Sequence, residues 1–256
     1  METVKETVKE TVKEAFVKHP YFPPESPIVG YLANEYNTLE LVSLFAAGCA
    51  VIFACTFLTA KKVRPTLSLS DLVVILWFTL CGFIHLFFEG YYAYNFRTIG
   101  RHQDLFGQLW KEYALSDSRY LTADSAFVLC MESITAIAWG PLSFLQAVLI
   151  AYDHPLRHPF QIIISLGQLY GDVLYYATSL FDERLLGLSY SRPEAAYYWG
   201  YFVLMNAFWI IIPFVLIYKS VGACSRAFMA LNRADKLLNG GLQNGSARNG
   251  SAKKQQ

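Results

Sequence analysis

Five long apolar stretches alternate with short polar segments along the chain, over Leu39–Ala60, Asp71–Tyr94, Asp124–Tyr152, Phe160–Phe181 and Ala195–Val221. At about 1.5 Å of rise per residue, a helix of each length crosses a hydrocarbon layer of about 30 Å. Aromatic pairs stand near several ends, Tyr91-Tyr92, Tyr175-Tyr176 and Tyr197-Tyr198, as anchors at a membrane interface should. The pattern predicts an all-α, polytopic membrane protein with five transmembrane helices. Three regions follow: a charged repeat tail and Pro-rich interfacial segment (1–38), the transmembrane domain (39–221) and a disordered cytosolic tail (222–256).

The flanks read differently from the spans. Glu-Thr-Val-Lys occurs three times in succession near the amino end, and its i,i+3 Glu–Lys pairs favour an exposed helical tail. The stretch HPYFPPESPIVG, residues 19–30, is too rich in Pro for a helix and is expected along the membrane interface, with Tyr21 and Phe22 at headgroup level. Asn95–Ala123 reads as a polar loop whose Tyr113, Asp117, Arg119 and Tyr120 fold over a cavity mouth, and Thr122 or Asp124 is the expected cap of the third span. With the amino terminus outside, cytosolic segments hold eight Lys and Arg near span ends against six on the other side, placing the carboxyl terminus in the cytosol. The Gly-, Asn- and Ser-rich tail carries acceptors at Asn244 and Asn249, which stay unmodified in the cytosol. It ends Lys253-Lys254-Gln255-Gln256, which resembles a dilysine retrieval signal of the endoplasmic-reticulum membrane.

Composition narrows the function. Hydrophobic residues make up 54% and charged residues 16% of the chain, below the roughly 25% of soluble domains. A net charge of +1 without a basic block excludes a nucleic-acid partner. Cys49, Cys55, Cys81, Cys130 and Cys224 form no C-x-x-C pair and read as packing residues.

Ionisable groups inside spans are costly and point to function. The second span holds His85 and Glu89, four apart on one face. The third holds Glu132, followed by Thr135 and Trp139; the fourth holds Gln168 and Asp172; the fifth holds Asn206 and Trp209. Counted from the non-cytosolic ends, the costly groups fall in a layer on the order of 10 Å thick. Matching depth on four spans predicts one intramembrane ligand cavity. Thr135 could instead bond back to its own helix, Asn206 could tie two helices together, and Gln168 with Asp172 could be a packing pair. Two carboxyls and an imidazole in an aromatic pocket can hold and move protons, and a Trp face can stabilise a cation. No phosphate-cradling loop, nucleotide fingerprint or metal-ligand cluster is visible, so neither cofactor nor metal is expected.

The segments CGFIHLFFEG, QLWKEYALSDSRY, CMESITA-x-x-WGP, GQLYGDVLY and MNAFW, in order over about residues 74–220, resemble the emopamil-binding protein family of 3β-hydroxysteroid Δ8-Δ7 isomerases. The resemblance implies a five-helix endoplasmic-reticulum enzyme that takes a sterol from the bilayer. It protonates carbon 9 of the 8(9)-alkene and removes a proton from carbon 7 after a cation at carbon 8. It implies catalytic roles for His85, Glu89, Glu132, Asn206 and Trp209, with Trp209 facing the cation and Asn206 orienting a carboxyl. Thr135, Tyr113, Trp110, Asp172, Gln168 and Trp139 are the expected substrate-binding residues. Cationic amphiphilic amines are the implied inhibitors, and a homodimer stays open. Three other readings compete: a non-catalytic sterol- or amine-binding protein of the wider family, an isomerase of another terpenoid, and a proton-coupled transporter. No internal repeat supports the last.

Overall fold

The computed structural model describes residues 18–252, with side chains through Leu238. The Glu-Thr-Val-Lys repeat, the terminal Lys253-Lys254 pair and the side chains of Asn244 and Asn249 lie outside the described residues. Helices account for all the regular structure among the described residues. They are α1 (Thr38–Val63), α2 (Leu69–Asn95), α3 (Leu105–Tyr113), α4 (Ala126–Ala151), α5 (Arg157–Phe181) and α6, which opens as a π-helix over Ala196–Met205 and continues over Asn206–Ala252.

Local chemistry sets the starts. Asn37 caps α1 in a capping box: its side chain accepts from the Glu40 N–H at 3.0 Å, and Glu40 accepts from the Asn37 N–H at 2.8 Å. Ser68 caps α2 by accepting from the Asp71 N–H. Ser125, rather than Thr122 or Asp124, caps α4 by accepting from the Val128 N–H. Thr122 instead donates to Asp124.

Among the described residues, four helices are long and apolar enough to cross a membrane: Thr38–Val63, Leu69–Asn95, Ala126–Ala151 and Ala196–Leu238. The fourth predicted span, α5, has 25 residues but falls short in apolarity. Its buried face is polar, carrying Gln161, Ser165, Gln168 and Asp172, while Ile163, Leu166, Val173 and Phe181 face outward. It is an amphipathic helix turned inside out. The other helices likewise present large apolar side chains outward, Val51 and Leu58 on α1 and Ile211 and Phe214 on α6 among them.

α1 packs on α2 and α3, the first half of α2 on the second half of α4, and α5 along α6. The α2 and α4 ladders each widen to a π-turn, at Ile84–Glu89 and Thr135–Trp139, and these two turns pack against each other. Gly140, just after the second turn, lets the backbones meet: a Cβ there would lie 2.8 Å from the Leu86 nitrogen. Pro141 follows at the start of the next α-helical stretch, where a missing N–H is tolerated.

Three expectations for the flanks are corrected. The segment around residues 19–30 straps the protein, and Tyr21 turns inward instead of out to headgroups. Tyr21 is 3% exposed and donates its hydroxyl to the Lys111 carbonyl at 3.0 Å; Phe22 accepts from the Ser118 hydroxyl. Tyr21 and Ile28 belong to one apolar cluster with Trp110 and Tyr120, and burial of their apolar surface there holds the strap down. The polar loop Asn95–Ala123 contains α3, started by Asp104, which accepts from the Gly107 N–H at 3.1 Å. Finally, residues 222–252 continue α6 instead of leaving it as a disordered tail. Through Leu238 they are rich in Ala, Leu, Arg and Lys, which propagate a helix once the preceding turns exist.

Candidate active site

A cavity of about 570 Å³ lies between the helices. The two π-turns set its floor. On α2, His85 is buried and its Nδ1 lies 2.7 Å from Glu89 Oε2. On α5, Gln168 places its Nε2 3.0 Å from His85 Nε2. An amide nitrogen only donates, so His85 Nε2 accepts and its proton sits on Nδ1, shared with Glu89. The imidazole is thereby held in one orientation between the Glu89 carboxyl and the Gln168 amide.

On α4, Glu132 is 4% exposed and accepts the Tyr120 hydroxyl at 2.6 Å. Glu89 and Glu132 line the same cavity. Thr135 also lines it, and its hydroxyl donates to the Glu132 carbonyl at 2.9 Å. Trp139 forms a wall because Gly167 makes room for it: a Cβ on Gly167 would lie 2.4 Å from the indole.

On α6, Trp209 packs with ring centroids 5.4 Å from Trp77 and 6.4 Å from His85, and its Nε1 is buried without a hydrogen-bond partner among the described residues. Asn206 does not orient a carboxyl. It donates to the Phe202 carbonyl at 2.7 Å and exchanges hydrogen bonds with the Tyr113 hydroxyl at 3.1 and 3.3 Å. Asn206 thus ties α6 to α3, because Tyr113 reaches it before either glutamate can. On α3, Trp110 stacks on Phe88 at 4.5 Å and donates its Nε1–H to the Phe88 carbonyl at 2.9 Å.

The eleven residues named from the sequence as catalytic or substrate-binding therefore all line this cavity. Of the four named for the mouth, Tyr113 and Tyr120 line it as well. Asp117 and Arg119 sit behind it as a buried ion pair, 2.6 Å at the closest contact, with Arg119 stacked over Tyr175 and Tyr190.

Two features of the cavity are not legible in the sequence, the Tyr120–Glu132 pairing and Glu112. The Tyr120–Glu132 bond joins residues twelve apart across a turn, which no helical spacing signals. Glu112 lines the cavity between Trp110 and Tyr113, and its Oε1 accepts from the Tyr201 hydroxyl at 3.2 Å. Burial raises its carboxyl above the usual range, against the lowering pull of hydrogen bonds from Thr38 and Tyr201. Its place between Trp110 and Tyr113, both expected to bind substrate, is the signal the sequence offers.

Comparison with known proteins places this arrangement. The chain is 37% identical over 204 residues to the 3-beta-hydroxysteroid-Delta(8),Delta(7)-isomerase of Cavia porcellus, covering 79% of this chain and 87% of that protein. It is 36% identical over 204 residues to the protein of the same name from Rattus norvegicus, with the same coverage. It is also 36% identical over 186 residues to protoglabretal synthase of Citrus sinensis, covering 72% of this chain and 85% of that one. The family described as EXPERA (EXPanded EBP superfamily) matches residues 105–220. The chain belongs to the EXPERA family. The matched EXPERA region takes in α3, α4, α5 and the start of α6, hence Tyr120, Glu132, Gln168, Asp172, Asn206 and Trp209. His85 and Glu89 precede it and meet it through the packed π-turns and the Gln168–His85 bond.

Proposed function

We propose that this EXPERA protein is a sterol Δ8-Δ7 isomerase, moving the 8(9) double bond to 7(8) through a carbocation. The observation that carries the reading is the convergence of Glu132 with the His85–Glu89 pair in one cavity beside the Trp209 ring. The alkene takes a proton at carbon 9, leaving the cation at carbon 8. Loss of a proton from carbon 7 returns the electron pair as the new double bond. Glu132, bonded to Tyr120, and the His85–Glu89 pair share acid and base duty; proton transfer of this kind contributes about 10²–10⁴-fold. The π face of Trp209 stabilises the cation, and Trp77 supports that ring from behind. Thr135, Trp110, Tyr113, Trp139, Gln168 and Asp172 shape and bind the substrate; Asn206 acts by holding Tyr113.

In this reading α5 is the fifth crossing, its polar face spent on the cavity and its apolar face on lipid. The sterol enters from the bilayer of the endoplasmic reticulum, the carboxyl terminus is cytosolic, and cationic amphiphilic amines inhibit by mimicking the cation. A homodimer fits the same reading. A second reading, an isomerase of another terpenoid, draws on the identity to protoglabretal synthase.

Purified protein incubated with a Δ8 sterol in deuterated water tests this. Product with the double bond at 7(8) and deuterium at carbon 9 is expected. Sterol recovered unchanged overturns the sterol reading, and the same assay on other terpenoid alkenes then separates a different isomerase from a non-catalytic binder.

A further inference from the structure

Two carboxyls of the cavity wall stand outside the proton-handling cluster, Glu112, which accepts from the Tyr201 hydroxyl, and Asp172. Among the described residues Asp172 is the unpartnered one. It is 8% exposed, it lines the cavity, and its Oδ2 is buried with no hydrogen-bond partner among the described residues. Asp117, buried to a similar degree, is fully engaged by Arg119. A buried acceptor left empty is costly, and such exceptions mark places where a ligand completes the bonding.

Its position adds a distance. Gln168, one turn earlier on α5, touches His85 and so marks the level of the reacting carbons. Asp172 lies four residues further along, about 6 Å at 1.5 Å per residue. In a rigid sterol the 3-hydroxyl oxygen stands about 6 Å from carbons 8 and 9, which matches that four-residue rise. With the reacting carbons beside His85, Glu89 and Glu132, the 3-hydroxyl falls at Asp172.

We propose that Asp172 anchors the substrate's 3-hydroxyl, as an alcohol subsite one helical turn from the acid–imidazole cluster. The assignment rests on the isomerase reading. The hydroxyl donates to Oδ2; a methyl or ketone at carbon 3 has no proton to give and leaves the carboxyl empty. Asp172 is thus a specificity residue and makes no bond to the carbons that react.

The test compares a Δ8 sterol with its 3-ketone on the full-length wild type, Asp172→Ala and Asp172→Asn. The wild type should prefer the alcohol in kcat/KM by about tenfold or more, the value of a hydrogen bond to a buried carboxyl. Asp172→Ala should bring the ratio near one, with the loss in KM rather than kcat. Asp172→Asn preserves the side-chain shape and adds an N–H that can serve the ketone, so its ratio should fall as well, even where Asp172→Ala folds poorly. A wild type without preference, or variants that keep the wild-type ratio, overturns the subsite. Turnover of neither compound by the wild type would instead sink the isomerase reading. Equilibrium binding of the two, followed by quenching of tryptophan fluorescence, then decides the subsite on the same ratios.

Discussion

Arg119→Met is expected to destabilise the protein by about 3–5 kcal/mol, the usual cost of removing one partner from a buried ion pair. Arg119 is 4% exposed and Asp117 is wholly buried. The guanidinium donates to Asp117 through Nε at 3.0 and 3.1 Å and through Nη2 at 2.6 Å. Nη1 donates to Thr178 at 3.0 Å, tying the turn to α5. Methionine fills similar volume but leaves the Asp117 carboxylate without a counter-charge, and that uncompensated charge is the main loss. For a chain of this size about 1 kcal/mol corresponds to roughly 2–4 °C, so the melting temperature should fall by roughly 6–20 °C. Thermal unfolding of purified protein in one detergent at one scan rate measures it. The double variant Asp117→Leu with Arg119→Met removes both charges and should recover at least half of the loss, because apolar replacement of a buried pair is often neutral. A single variant melting within about 2 °C of wild type, or a double variant whose loss is the plain sum of both singles, would refute the reasoning.

Glu132→Gln and Glu89→Gln should each lower turnover of a Δ8 sterol by at least about 10²-fold without loss of membrane insertion; wild-type turnover in both would remove them from the mechanism. Tyr120→Phe deletes only the hydroxyl that bonds Glu132 and should lower kcat by about tenfold while KM stays within about twofold, a split read from steady-state kinetics. Lys111, buried between the Leu32 carbonyl and Gln103 Oε1, is lowered to about 8 by burial, against the raising influence of Glu35 and Asp104. The unfolded chain holds that proton up to about 10.4, so it binds more protons than the fold between the two values, and stability rises with pH across about 8 to 10. The melting temperature of wild type should therefore climb relative to Lys111→Met over that window, and parallel curves would contradict the assignment.

Much of the site is legible in the sequence because burying a carboxyl among lipid-facing helices leaves a conspicuous mark. His85, Glu89, Glu132 and Asp172 interrupt apolar runs, and their depth along each run is a matter of counting. The cap was not legible for the opposite reason. Lys111, Glu112, Asp117 and Arg119 fall in a stretch that reads as a polar loop over a cavity mouth, yet all four are buried, with partners far along the chain such as Leu32, Tyr201 and Thr178. The strap at Tyr21 was misplaced because an aromatic beside prolines suits a headgroup layer as well as a protein groove. The π-turns at Ile84–Glu89 and Thr135–Trp139 change the hydrogen-bond register without changing composition, so periodicity could not reveal them. α5 was read as one apolar stretch, whereas its polar residues share a single inward face.

That inverted face bears on biogenesis. In the five-crossing arrangement, α5 would partition weakly by itself as it left the ribosome, because Gln161, Ser165, Gln168 and Asp172 would meet acyl chains with nothing to shield them. Its residence in the bilayer must then be assisted by companions already threaded, α2 and α4, and by the hydrophobic α6 that follows it. Assembly of the catalytic chamber and integration of this segment become one event, so a lesion in the chamber wall can surface as a topology defect before it surfaces as lost chemistry.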